Sequence, residues 1–165
     1  MTSLKHKTIM LTVILSCIFI IASGQSVLEK LSNTKWEGKG MLMNTDASFK
    51  MHWKSTLDDA FVQLTFQNKR MLKNGKEIIF KANAYYKVVN DSVIKGTWFD
   101  SRGITFPLKG TTNATQMTII WGTPETEQGK TSYEFIQNGQ LKVKDYILRE
   151  DKYLGFGEAV YKSIK

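Results

Sequence analysis

Asn74-Gly75-Lys76-Glu77-Ile78-Ile79-Phe80-Lys81-Ala82-Asn83-Ala84-Tyr85-Tyr86-Lys87-Val88 decides how this chain folds. Asn-Gly favours the two-residue turn whose twist matches a hairpin. After it, Ile78, Phe80, Ala82, Ala84, Tyr86 and Val88 fall on one side, and Lys81, Asn83, Tyr85 and Lys87 on the other. A period of two with one basic side is a strand with one wet face.

The same grammar runs outward in both directions. Phe49, Met51 and Trp53 alternate with Lys50, His52 and Lys54. Val143 and Asp145 oppose Lys142 and Lys144. Turn signals recur at Thr45-Asp46, Asp58-Asp59, Asn74-Gly75, Asn90-Asp91, Ser101-Arg102-Gly103, Asn113-Ala114, the stretch 124–129, Asn138-Gly139 and Glu150-Asp151. Nine turns separate ten strands. The segment 26–31 is the one candidate helix, just ahead of Trp36. The fold class is therefore all-β. Short turns make an antiparallel meander, and closing ten strands into an up-and-down barrel removes two long edges. A sandwich is the main alternative, though its crossovers need longer connections.

The first 24 residues read differently. Lys5 and Lys7 precede an apolar stretch from Ile9 to Ala22, and Ala22-Ser23-Gly24 supplies small residues for cleavage. This is the pattern of a secretory signal peptide, so residues 1–24 are expected to leave and residues 25–165 to form the barrel domain. Localisation is then exported, periplasmic or extracellular. A lipid anchor at Cys17 is the lesser alternative, because the apolar run continues past it. The chain carries 23 basic and 15 acidic residues, a net charge of +8. Loss of Lys5 and Lys7 leaves +6 and no cysteine, hence no disulfide.

Several segments resemble the calycin superfamily, which holds the lipocalins and fatty-acid-binding proteins. They are Trp36-Glu37-Gly38-Lys39-Gly40, Phe61-Val62-Gln63-Leu64-Thr65-Phe66, Tyr85-Tyr86, Gly96-Thr97-Trp98-Phe99-Asp100-Ser101-Arg102-Gly103, Trp121-Gly122 and Gly129-Lys130-Thr131-Ser132-Tyr133. The nearest likeness is to nitrobindin-like or lipocalin-like ten-stranded barrels of bacterial exported proteins. The resemblance implies a cup-shaped barrel and a small hydrophobic ligand, without implying one activity. One departure stands out. Nitrobindin-type barrels hold haem through a histidine near the C-terminus, and Leu141 to Lys165 contains none. His52 alternates with the outer lysines, which makes it a poor haem ligand.

Candidate site residues follow from strand parity. Trp53, Tyr86, Trp98, Trp121 and Tyr133 fall on expected inner faces, where they serve as core or as pocket lining. Asp100 shares a face with Trp98, and its alternatives are a ligand anchor paired with Arg102 or a turn residue. Asp145 breaks an apolar face with Leu141, Val143 and Ile147, and such local violations gather at sites. Trp36 is expected to close a barrel end, with Arg149 stacked over it.

There is no Cys/His cluster, phosphate loop or nucleophile elbow, so no cofactor, metal or catalytic residue is assigned. The basic residues are spread over many strands rather than clustered. No nucleic-acid partner is therefore expected, and at most a weak association with anionic envelope surfaces. The leading expectation is a barrel that buries a small, mainly apolar ligand. The alternatives are an isomerase- or cyclase-type enzyme using Asp100 or Asp145 as base, or a ligand-free envelope module with a filled interior.

Overall fold

A computed structural model describes residues 24–90 and 92–165. Apart from Gly24, the expected signal segment and Cys17 lie outside the described residues. The rest is ten strands in one closed antiparallel barrel, each pairing with its sequence neighbours, and the first with the last. The strands are β1 (Thr34–Leu42), β2 (Thr45–Thr56), β3 (Phe61–Met71), β4 (Glu77–Val88) and β5 (Val93–Asp100). They continue with β6 (Thr105–Thr112), β7 (Gln116–Trp121), β8 (Gly129–Phe135), β9 (Leu141–Arg149) and β10 (Lys152–Ile164). Closure runs from Lys35↔Ile164 to Leu42↔Gly157. The all-β barrel is thus the architecture that the alternation predicted.

Alternation is strictest in β2, where Ala47, Phe49, Met51 and Trp53 are buried and the residues between them exposed. Their outward neighbours include Lys50 and Lys54, whose charged heads remain in water. His52 is exposed beside Lys35 and Thr65 in register, the outer face that parity assigned to it.

The first hairpin differs from expectation. It turns at Met43-Asn44, not at Thr45-Asp46, and Thr45 already pairs with Leu42. Both turn residues have positive φ, 51° and 59°. Asn tolerates that region and Met does not favour it, so tertiary register outweighs local composition here.

The helix α1 (Val27–Leu31) is one turn and a half, too short to stand alone. Ser26 caps it, and the Glu29 carboxylate accepts from the Ser26 backbone N–H in return. Val27 N–H donates to the Asn113 carbonyl at 2.8 Å, and Lys30 Nζ to that of Ala114 at 2.6 Å. Val27, Leu28 and Leu31 are wholly buried. The helix therefore plugs one end of the barrel, against the turn between β6 and β7. Trp36 lies at this plugged end, edge-on to Phe135 at 5.8 Å, with its indole N–H on Thr34. Arg149 ends β9 at the opposite opening, so the expected stacking of Arg149 over Trp36 does not occur. The reason is strand direction: β9 starts at the plugged end with Leu141 and leaves it eight residues later.

Candidate functional site

The unplugged half of the barrel encloses a cavity of about 670 Å³. Its floor, wall and rim are chemically distinct.

The floor is aromatic. Trp53 is fully buried and packs against Tyr86 at 5.5 Å and, edge-on, Tyr133 at 5.7 Å. Tyr86, Tyr133 and Tyr161 stand above it and line the cavity. Tyr161 has space because it crosses Gly38 of β1, where a Cβ would sit 2.6 Å from its ring. Burial pushes all three phenols upward, so they remain hydrogen-bond donors at any working pH.

Asp145 stands on the wall, between Thr131 of β8 and Gly157 of β10 in register. Thr131 Oγ1 donates to its carboxylate at 2.7 Å. A Cβ at residue 157 would lie 3.1 Å from Asp145 Oδ2, so the glycine leaves the carboxyl its place. Asp145 is partly buried and lines the cavity. Burial raises its pKa from 3.8 to about 6, opposed only by the Thr131 hydrogen bond. No cation contributes.

At the rim, Arg102 lies in the turn after β5. Its backbone N–H donates to Asp100 Oδ1 at 2.8 Å, and its Nη2 to Oδ2 at 2.8 Å. Trp98 Nε1 also donates to Asp100, at 3.2 Å. Burial alone would raise the Asp100 pKa; the bonds from Arg102 and Trp98 outweigh it and hold the carboxyl below its ordinary range. Arg102 Nη1 reaches Glu127 at 3.3 Å, and Arg149 approaches the same Glu127 at 3.9 Å. The Arg102 guanidinium lies 5.6 Å over the Phe80 ring, which stacks on Trp98.

Of the residues singled out by parity, Tyr86, Trp98, Trp121, Tyr133 and Asp145 line the cavity. Trp53 lies behind the floor. Asp100 points inward but is consumed by Arg102 and Trp98. Asp100 and Asp145 have separate partners and form no couple. Asn68 and Arg70 also line the cavity and are absent from the candidates drawn from the sequence. The signal was available: both continue the face of Leu64 and Phe66. Tyr161 and Thr131 are further additions. A bulge between Gly155 and Gly157 shifts the alternation of β10 ahead of Tyr161, and Thr131 gains meaning only from its neighbour across the sheet.

Among the described residues, no group of three or more His, Cys, Asp or Glu could hold a metal ion. Fold and site together define a closed antiparallel barrel with one plugged end and one cavity open at the other. Compared with protein-family models and with curated proteins, the chain finds no match.

Proposed function

We propose that this protein is an exported carrier, calycin-like in kind, that holds a small and mainly apolar ligand inside its barrel. The observation that carries this reading is the cavity itself. Its volume of about 670 Å³ falls within the range usual for ligand sites, roughly 300–1,000 Å³. Its lining is mostly aliphatic and aromatic, including Leu64, Phe66, Trp98, Ile119 and Trp121. A filled interior, which a ligand-free envelope module requires, is not what this barrel has. In the proposed mode the ligand lies on the tyrosine floor, between Trp98 and Trp121, with Asp145 beside it on the wall.

The test is titration with N-phenyl-1-naphthylamine, a neutral dye that brightens in apolar surroundings. Saturable one-to-one binding, lost when Ile119→Trp fills the cavity, supports the reading. Absence of saturable binding by the wild-type protein sinks it. Native mass spectrometry of protein taken from its own host then gives the ligand's mass.

A second reading has one observation in its favour. Asp145, with a pKa raised to about 6 in an enclosed cavity, has the character of a general base. An isomerase- or cyclase-type enzyme would release an altered ligand, whereas a carrier returns it unchanged. Mass and chromatographic retention of the extracted ligand, before and after incubation with fresh protein, separate the two.

A further inference from the structure

On the outer wall, strand register brings together three lysines that lie far apart in the sequence. Lys87 of β4 pairs directly with Lys95 of β5, and Lys95 with Lys109 of β6. All three are exposed. Neighbouring strands lie about 4.8 Å apart, so three like charges stand side by side at that stride. Like charges directly opposite one another destabilise a sheet. Among the described residues none of the three has an ion-pair partner. The outer positions beside them are Tyr85, Thr97 and Pro107 towards the mouth and Val93 and Thr111 towards the plug, none of them acidic. Elsewhere on the barrel the lysines are answered: Lys50 by Glu37, and Lys142 and Lys144 by Glu158. Lysines often guard the edges of a sheet, but this barrel is closed and has no edge to guard. Aromatic rings bound the row. Lys87 Nζ lies 5.7 Å over the Phe61 ring. Beyond Lys109 the same register continues through Ile120 of β7 to Lys130 of β8, which is held between Tyr146 and Tyr153 at 4.9 and 4.4 Å.

We propose that this row is a docking surface for a linear acidic polysaccharide, one whose sugars each carry a carboxylate. It lies outside the barrel and is independent of what the cavity holds. It rests only on the export part of the reading above, since an exported protein meets cell-surface glycans. Carboxylates borne on successive sugars recur at a stride close to the strand spacing, so they meet Lys87, Lys95 and Lys109 in turn and remove the repulsion within the row. The apolar faces of the sugar rings suit the aromatic rings at its two ends. The hydroxyls of Tyr85, Thr97 and Thr111 border the row as hydrogen-bond partners for the sugar hydroxyls. A lipid surface is a poorer fit, because a bilayer is entered by apolar side chains and these three neighbours are polar. The charge that is dispersed along the sequence is thus gathered by strand pairing, with no basic run to announce it.

The experiment titrates the protein calorimetrically, at low salt, with four probes: a mannuronate oligomer of about ten sugars, neutral dextran of like length, oligothymidylate of like length, and phosphatidylglycerol vesicles. The uronate is expected to bind about tenfold or more tightly than the other three. Its affinity should fall about tenfold or more between roughly 50 and 200 mM salt, the loss that follows when three or four cations release condensed counterions. The double variant Lys95→Gln, Lys109→Gln should lose at least about tenfold. The double variant Lys35→Gln, Lys39→Gln removes the same charge from β1 across the barrel and should change binding less than about threefold. Relief of repulsion should leave the thermal midpoint of the Lys95, Lys109 variant level or raised, which also shows that it is folded. Absence of uronate binding, dextran binding as tightly as the uronate, oligothymidylate or vesicles ahead of it, or equal losses in the two double variants each overturns the docking surface and leaves the carrier reading standing. Failure of the wild type to bind the dye does the reverse.

Discussion

Replacing Asp145 by Asn tests whether the wall carboxyl is a burden in the native state. Its pKa rises from 3.8 to about 6 on folding, because burial disfavours the charged form and Thr131 only partly offsets this. The folded protein therefore binds the proton more tightly than the unfolded chain. Asp145 is harmless to stability below about pH 4 and penalises the fold progressively as pH rises through its native pKa. At about 1.4 kcal/mol per pKa unit, the penalty saturates near 3 kcal/mol above about pH 7. At pH 4.5, where part of it is already present, it is about 1 kcal/mol. The amide introduced by Asp145→Asn keeps an acceptor for Thr131 and carries no charge. The variant should thus gain about 2 kcal/mol relative to wild type on going from pH 4.5 to pH 8, whatever its fixed cost from the amide N–H groups. Urea unfolding of both proteins at the two pH values, with the slopes compared, reads this directly. A difference between the two proteins that is flat with pH, or a variant that loses ground at pH 8, would mean that Asp145 is solvated or paired with a cation, and its isolation on the wall would be refuted.

Ligand binding should respond to the same group. An apolar tail laid against Asp145 requires its neutral form, so dye affinity should rise about tenfold from pH 7 to pH 5 in the wild type and stay level in Asp145→Asn, as fluorescence titration would show. Asp100 has the opposite sign: its depressed pKa stabilises the fold above the ordinary carboxylate range, and that contribution is lost as pH falls through the native pKa. Asp100→Asn should cost about 1 kcal/mol at pH 7, after discounting for the half-exposed Arg102, and progressively less as pH falls through the native pKa, measured by chemical denaturation. Trp53→Phe removes an indole N–H that is buried without a partner while keeping a ring against Tyr86 and Tyr133; its calorimetric stability should stay within about 1 kcal/mol of wild type, and a loss above about 3 would show that the N–H is satisfied. Leu31→Ala in the plug should cost about 2–5 kcal/mol in urea, since Leu31 is wholly buried; a loss under about 1 would show that the helix is not seated.

How much of this is legible beforehand varies with the range of the interaction. Alternation is local, so Trp98, Trp121, Tyr133 and Asp145 can be assigned to inner faces from single segments. The turn at Met43-Asn44 lies two residues ahead of its sequence signal, because Thr45 and Asp46 carry turn composition while pairing with β10 and β3 decides the register. Stacking of Arg149 over Trp36 follows from residue type alone; the path of β9 from one end of the barrel to the other forbids it. The isolation of Asp145 is not written in any one segment. It depends on Thr131 and Gly157 arriving from two other strands, and on the interior staying open where aromatic side chains could have filled it.

The depth of a polar group, more than its presence, sets what it can mean in a barrel of this kind. Arg102, Arg149 and Glu127 sit where strands end, and a charged head there reaches water at little cost, so their presence alone discriminates nothing. Asn68 lies one inward step below Arg70, between two phenylalanine side chains, where water and partner are both withheld. Asp145, on the opposite kind of footing, carries an ionisable group and answers burial by shifting its pKa, an option that an amide does not have. The buried amide of Asn68 is thus more tightly constrained by its surroundings than the solvated heads of Arg102 and Arg149.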